Sequence, residues 1–202
     1  MAFIAWPALD DAYTAAIREG PGPAFDRYLD LGPTVVDHVR AIRADDHHVQ
    51  PPSGFPRTFV EHASFLLADV AARYPQEFLA AFVDERWDDD SDVVTALAYT
   101  DDPTVPPRLA RVLRTGSRFA RVSSAVGLGR FDDPEAVAAL LGALDDPEYL
   151  VIFHAIASLG DVGGPAAIPV LMEVLDLGRA SLSTQAQGAI RAIESRSQSR
   201  PS

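Results

Sequence analysis

The sequence contains no cysteine and no lysine, and it has no apolar run of the length that crosses a membrane. Without cysteine the chain has no disulfides and no thiolate metal ligands. All 17 basic residues are arginine, a composition typical of GC-rich bacterial genes, and we expect a bacterial source. The first residues lack the basic segment and apolar run of a secretory signal, so we expect a cytoplasmic protein.

Acidic side chains outnumber basic ones, and the net charge is −12. Such a surface repels nucleic acid phosphates and anionic membranes, so neither is an expected partner. A basic protein would be attracted instead. The hydrophobic content of 48% over 202 residues is enough for one compact domain or one short solenoid with a substantial core.

Equivalent residues recur every 31 positions in the second half of the chain. One proline and three leucines recur, in the series Leu97, Leu128, Leu159; Pro103, Pro134, Pro165; Leu109, Leu140, Leu171; and Leu113, Leu144, Leu175. A fixed period of this size indicates stacked supersecondary units. The apolar spacing within each unit is helical and does not alternate as in a strand. The sequence therefore predicts an all-α fold, a short right-handed α-solenoid of stacked helix pairs, with Leu109, Leu140 and Leu171 buried.

Local signals predict where helices begin and end. Asp133-Pro134 is typical of an N-cap followed by a first-turn proline, and Asp102-Pro103 repeats it one period earlier. Gly160, after Leu159, suggests a left-handed C-cap. Upstream, where the repeat decays, the pattern predicts helices near 8–19, 23–30, 33–44 and 57–72 and a degenerate unit from Tyr74.

The expected organisation is one structural domain. It comprises an irregular helical N-terminal cap at residues 1–56, a repeat solenoid at residues 57–195 and a disordered tail at residues 196–202. The three clear repeats of the solenoid are 87–117, 118–148 and 149–182.

Four short segments carry a family resemblance. Leu128-Gly129 and Leu159-Gly160 end one helix of each pair, and Pro134 to Leu141 and Pro165 to Met172 form the next helix. This arrangement resembles the HEAT-like repeats of the phycobilisome-lyase type. The resemblance implies an α-solenoid and says little about function, because such repeats serve many roles.

No catalytic residue, metal ligand or cofactor site is expected. His47 and His48 lie beside Asp45 and Asp46 in a loop rich in proline, which gives no preformed ligand geometry. His154 does not fit the paired His-Glu pattern of the HEAT-like di-iron hydroxylases, because alanine follows it and Ser123 stands one period earlier. Ser123 and Ser124 have no adjacent base in the sequence.

Six arginines lie at Arg108, Arg111, Arg114, Arg118, Arg121 and Arg130, directly after the acidic segment 84–102. Two interpretations stay open. The two runs neutralise each other as ion pairs, or the arginines bind an anion. The first is favoured because no flanking basic run extends the patch.

A row across the inner helices is the candidate binding site. Residues one period apart lie side by side in stacked units, which aligns Trp87, Arg118 and Tyr149, and the next positions are Arg121, Ile152 and Phe153. Trp, Arg and Tyr are enriched at binding hot spots. The alternative is that Ile152 and Phe153 pack under the C-terminal helix and Trp87 under the acidic turn.

The sequence therefore favours a non-catalytic, cytoplasmic protein-binding adaptor that uses its concave face, for example an immunity or inhibitor protein for a basic partner. The alternative is an enzyme or lyase component of the phycobilisome-lyase type that acts on a bound small molecule. That function needs a deep pocket with buried histidine and aspartate.

Overall fold

The computed structural model describes residues 6–44, 58–176 and 178–199, and within these ranges the chain forms α-helices and short 3₁₀ turns but no β-strand. The prediction of an all-α fold is confirmed. The helices are α1 (Trp6–Glu19), α2 (Pro23–Leu29), α3 (Thr34–Arg43), α4 (Thr58–Arg73), α5 (Pro75–Ala81), α6 (Ser91–Leu97), α7 (Val105–Thr115), α8 (Arg118–Leu128), α9 (Pro134–Gly142), α10 (Tyr149–Val162), α11 (Ile168–Asp176) and α12 (Ala180–Ser199).

The chain divides into two compact units, residues 1–87 and 88–202. The boundary therefore falls later than the end of the predicted cap at residue 56, and α5, predicted as a degenerate repeat, belongs to the first unit. That the chain forms one structural domain stays a prediction. The predicted disordered tail is corrected in part, because α12 continues through residues 196–199.

Seven helices of the second unit form two layers. In the inner layer α6, α8, α10 and α12 pack side by side, each against the next. In the outer layer α7, α9 and α11 follow the same order with fewer mutual contacts, and α7 and α11 pack onto α8 and α12. Because helices of the α6–α12 layer pack more extensively against one another, we infer that this layer lies on the inside of the solenoid curve. We call its solvent-exposed side the inner face.

Aspartate and proline start the outer helices, but not identically. The carboxylate of Asp133 accepts hydrogen bonds from the backbone N–H groups of Glu135 and Ala136 at 2.8 and 3.1 Å, and α9 begins at Pro134 as predicted. One repeat earlier, Asp101 takes a left-handed conformation with φ 51°, and α7 begins only at Val105. The same sequence signal therefore forms an N-cap in one repeat and a turn in the other.

The glycines after Leu128 and Leu159 serve helix packing, and the predicted C-cap at Gly160 is wrong. Gly160 lies inside α10, and its φ is not positive. A Cβ atom added there would lie 3.1 Å from the Cα of Ala189 on α12. One repeat earlier, a Cβ on Gly129 would lie 2.6 Å from Oγ and 2.8 Å from Cβ of Ser158. Glycine is therefore required because neighbouring inner helices approach closely.

The predicted core leucines are confirmed. Leu109, Leu140 and Leu171 each have 0% exposure, at equivalent places on α7, α9 and α11. Leu97, Leu128 and Leu159 on the inner helices are equally buried. Each 31-residue repeat thus contributes one buried leucine from its inner helix and one from its outer helix to the core.

Candidate functional site

Large apolar side chains are exposed on the inner face. The exposed fractions are 63% for Phe119 and 43% for Val126 on α8, 39% for both Tyr149 and Leu150 on α10, and 38% for Tyr99 in the turn after α6. A soluble chain rarely leaves clustered side chains of this size in water unless the cluster binds something.

The exposed residues repeat with the same period as the core. Phe119 and Leu150, Val122 and Phe153, and Val126 and Ala157 are pairs 31 residues apart on α8 and α10. Within each helix they are spaced by three and four residues, so they form one stripe. The buried residues of α8, such as Ala125 and Leu128, lie on the opposite stripe. Because α8 and α10 are neighbours, the two exposed stripes lie side by side.

Three predicted binding residues are accessible on this face. Arg118 is exposed, with Nε 3.5 Å from Oε2 of Glu148 and its guanidinium 5.3 Å from the centre of the Phe119 ring. The rings of Tyr149 and Phe153 stack with centroids 6.2 Å apart. The Tyr149 hydroxyl donates a hydrogen bond to Ser181 Oγ on α12 at 2.7 Å. These contacts hold the aromatic rings in fixed positions on the surface.

The other three predicted binding residues have structural contacts. Ile152 is 6% exposed and packs in the core. Arg121 donates two hydrogen bonds to Asp146 at 3.0 and 3.2 Å and one to the Gly116 carbonyl at 3.1 Å. Trp87 is 5% exposed and lies in the first unit, with its ring 5.0 Å from that of Phe82. That a partner touches the predicted row stays a prediction.

Sequence reasoning missed Phe119, Val126 and Leu150. The 31-residue period shows which residues are equivalent in successive repeats, but it does not show which side of each helix faces the core. One residue turns a helix by about 100°, so a row shifted by one position moves from the surface to the core. The signal was present: Phe119, Val122 and Val126 are apolar at helical spacing, opposite the stripe of Ala120, Ser124 and Leu128.

Ion pairs occupy most of the arginine patch. Arg108 and Arg111 each lie 2.8 Å from the carboxylate of Asp88, and Arg130 lies 3.4 Å from Asp101. These two acids belong to the segment 84–102, whereas Arg118 and Arg121 pair with acids of the next turn. Five of the six arginines therefore have a carboxylate partner. This supports neutralisation over anion binding.

His62 contacts a backbone carbonyl group, and His154 is partly packed against its neighbours. His62 Nδ1 lies 2.7 Å from the carbonyl oxygen of Ile17. His154 is half-buried on α10, and this burial lowers its pKa, which leaves the ring neutral at pH 7. In the described ranges no three His, Asp or Glu side chains form a group suited to a metal. His47, His48, Asp45 and Asp46 lie outside the described residues.

The first unit contains a buried polar network that the sequence did not predict. His38 is fully buried, with Nδ1 2.8 Å from the Tyr28 hydroxyl and Nε2 2.8 Å from Oδ1 of Asp10. Tyr28 is also fully buried. Burial is the main cause that raises its pKa well above the ordinary value of 10.0, and the nearby Tyr13 and Asp10 raise it further. Because solvent reaches neither ring, the network ties α1, α2 and α3 together rather than offering a reactive group.

The long helices of the described ranges are not apolar enough to cross a membrane. No curated protein matches the chain. A family model described as HEAT repeats matches residues 75–149 and 105–191, which together include every inner and outer helix except the end of α12. The match does not distinguish the phycobilisome-lyase type, and that subtype stays a prediction. The matched residues cover more than half of the sequence, and the chain belongs to the HEAT-repeat family.

Proposed function

We propose that this chain is a non-catalytic protein-binding adaptor that holds its partner on the inner face of the second unit. The observation that carries the proposal is the cluster of exposed apolar side chains on α8 and α10, of which Phe119 is the most exposed. HEAT repeats are commonly protein-interaction scaffolds. Aromatic side chains fixed on a rigid helical surface supply large contact area with little loss of conformational entropy.

The acidity of the chain favours a basic partner. With a net charge of −12, the protein attracts cationic surfaces at long range and increases their rate of encounter. The target of an immunity or inhibitor protein is one such partner. The apolar cluster would then supply the affinity, because rim charges mainly affect association rates.

An enzyme or lyase component remains the second candidate, and no feature of the described residues favours it. One cavity, of about 620 Å³, is lined by residues of α9, α10 and α12 and of the loops before α9 and after α10. Its lining includes Asp132, Asp133 and Asp161 but no histidine. Arg196, which also lines this cavity, donates hydrogen bonds to the carbonyl groups of Gly160 and Gly163. This arginine therefore holds the loop in place.

Paired arginine substitutions test the adaptor proposal. Phe119→Arg places a charge in the cluster, whereas Met172→Arg is a matched control because Met172 is 54% exposed on the outer helix α11. Each variant is immobilised and exposed to lysate of the native host, and captured proteins are compared by mass spectrometry. A partner retained by wild type and by Met172→Arg but lost by Phe119→Arg is the expected result. If Phe119→Arg, with unchanged melting behaviour, captures the same proteins as wild type, the inner face is not the binding site.

A further inference from the structure

The apolar strip on the inner face is two helical turns long. It consists of Phe119, Val122 and Val126 on α8 and of Leu150, Phe153 and Ala157 on α10, all exposed or half-buried. The seven residue steps from first to last on each helix correspond to about 10.5 Å at a rise of about 1.5 Å per residue. The strip therefore accommodates two turns of a partner helix.

Backbone hydrogen bonding decides between a helical and an extended occupant. The six side chains of the strip carry no hydrogen-bonding group, so they cannot pair with the N–H and C=O groups of an extended segment. Burying unpaired backbone groups against an apolar surface costs free energy. A helix pairs these groups internally, and its apolar side chains repeat with the same spacing as those of α8 and α10. The surface thus selects a helix.

Charge is found at both ends of the strip, and among the described residues one carboxylate at the second end has no ion pair. At the start of α8 and α10, Arg118 pairs with Glu148 at 3.5 Å. At the other end, Arg130 donates a hydrogen bond to the carbonyl oxygen of Ala98 at 3.0 Å and lies 4.3 Å from the centre of the Tyr99 ring. Asp161 is the equivalent of Arg130 one repeat later. It is exposed, and no ion pair is found for it among the described residues.

Resting on the proposed function, we propose that the inner face of α8 and α10 binds an amphipathic α-helix of a partner protein. Two turns of apolar side chains at positions i, i+3 or i+4, and i+7 of that helix lie on the strip. A lysine or arginine about one turn beyond them lies beside Asp161, at the end of the strip that carries the unpaired carboxylate. The chain distinguishes the two ends of the bound helix by this charge.

A displayed peptide library tests the inference with the full chain as bait. The library holds helix-forming and non-helical peptides of about four turns' length, with random apolar, acidic and basic positions. Selected peptides are then measured by fluorescence anisotropy against wild type and variants. We expect the selected sequences to share the apolar stripe with a basic residue at one end, and to lose at least tenfold in affinity on both Phe119→Arg and Leu150→Arg. Met172→Arg should change nothing.

Asp161→Asn tests the charged end. We expect about fivefold weaker binding, which corresponds to about 1 kcal/mol for an exposed ion pair, and Glu173→Gln on α11 as the matched control should have no effect. Selected helices that ignore Asp161→Asn overturn the inference. Selected peptides that bind in an extended conformation and still depend on Phe119 also overturn it. A wild-type dimer in sedimentation that Phe119→Arg dissociates does so too. In the first two cases the proposed function stands. The dimer overturns the proposed function as well, and so do peptides that ignore both Phe119→Arg and Leu150→Arg.

Discussion

The two units use aromatic residues in opposite ways. The buried core of the first unit includes Tyr13, Phe25, Tyr28, Phe78, Phe82 and Trp87. In the second unit none of the five aromatic side chains is buried: Tyr99, Phe119 and Tyr149 are exposed, and Phe131 and Phe153 are half-buried. Its core consists of leucine, valine, isoleucine and alanine in repeated positions.

This difference follows from how each unit is packed. Stacked repeats need the same small side chains at every inner-helix contact, since helices that approach as closely as those at Gly129 and Gly160 leave no room for a ring. The first unit has no such period, and its irregular spaces are filled by rings and by a hydrogen-bonded network around His38. Aromatic residues in the second unit are thus excluded from the core. Those on its surface are the ones available for binding.

The largest expected effect is in the repeat core. Leu140→Ala removes a fully buried side chain from α9 and should lower the free energy of unfolding by about 2–5 kcal/mol. Urea denaturation followed by circular dichroism measures the change. Leu150→Ala is the matched control, because that leucine is exposed on the inner face, and it should shift stability by less than about 0.5 kcal/mol. Equal effects of the two substitutions would contradict the register of the repeat.

A pair of glycine substitutions sharpens the packing argument. Gly129→Ala places a Cβ 2.8 Å from Ser158 Cβ and 3.1 Å from its Cα, so α8 and α10 must move apart, at a cost of about 1–3 kcal/mol. Gly142→Ala at the end of α9 meets nothing within 4 Å, and it should stabilise the protein by about 0.4–1 kcal/mol, because it reduces the freedom of the unfolded chain. Thermal melts of both variants test the opposite signs. A stabilised Gly129→Ala would show that the inner helices are not in close contact.

The sequence predicted the elements of the fold better than it predicted the site. Repeated leucines are a local signal, and most of them are buried as predicted, as at Leu109 and Leu171. Of the two Asp-Pro pairs, Asp133-Pro134 begins a helix, whereas Asp102-Pro103 lies in a turn. Gly160 was misread because glycine is favoured both at helix ends and where helices approach closely. The sequence does not distinguish these two causes. The binding row depended on helix rotation, which places Ile152 in the core and Leu150 on the surface.

The His38 network provides the corresponding test in the first unit. Tyr28→Phe removes the hydroxyl that lies 2.8 Å from His38 Nδ1 and with it a buried hydrogen bond, which should cost about 1–2 kcal/mol. Both tryptophans of the chain, Trp6 and Trp87, belong to the first unit, so tryptophan fluorescence during urea unfolding reports on it directly. The control is Tyr99→Phe, at an exposed tyrosine of the second unit, which should be neutral. A neutral Tyr28→Phe would mean that the hydroxyl adds nothing to the packing of its ring.

The smallest expected effect is a pH dependence in the second unit. Burial lowers the pKa of His154 below its ordinary value of 6.5, so between the two pKa values the unfolded chain binds more protons than the folded one. The contribution of His154 to stability is therefore fully present above pH 6.5 and is lost as the pH falls through that value toward the folded pKa.

Urea unfolding of wild type and His154→Gln between pH 5 and pH 8 measures this contribution as a difference, which cancels groups common to both proteins. Relative to His154→Gln, wild type should lose stability on acidification. Ser123→Ala, at the equivalent half-buried position of α8, should keep the wild-type slope. A difference that stays constant across this range would show that His154 is as well solvated in the folded chain as in the unfolded one, and that the inner face is more open there than its half-buried ring indicates.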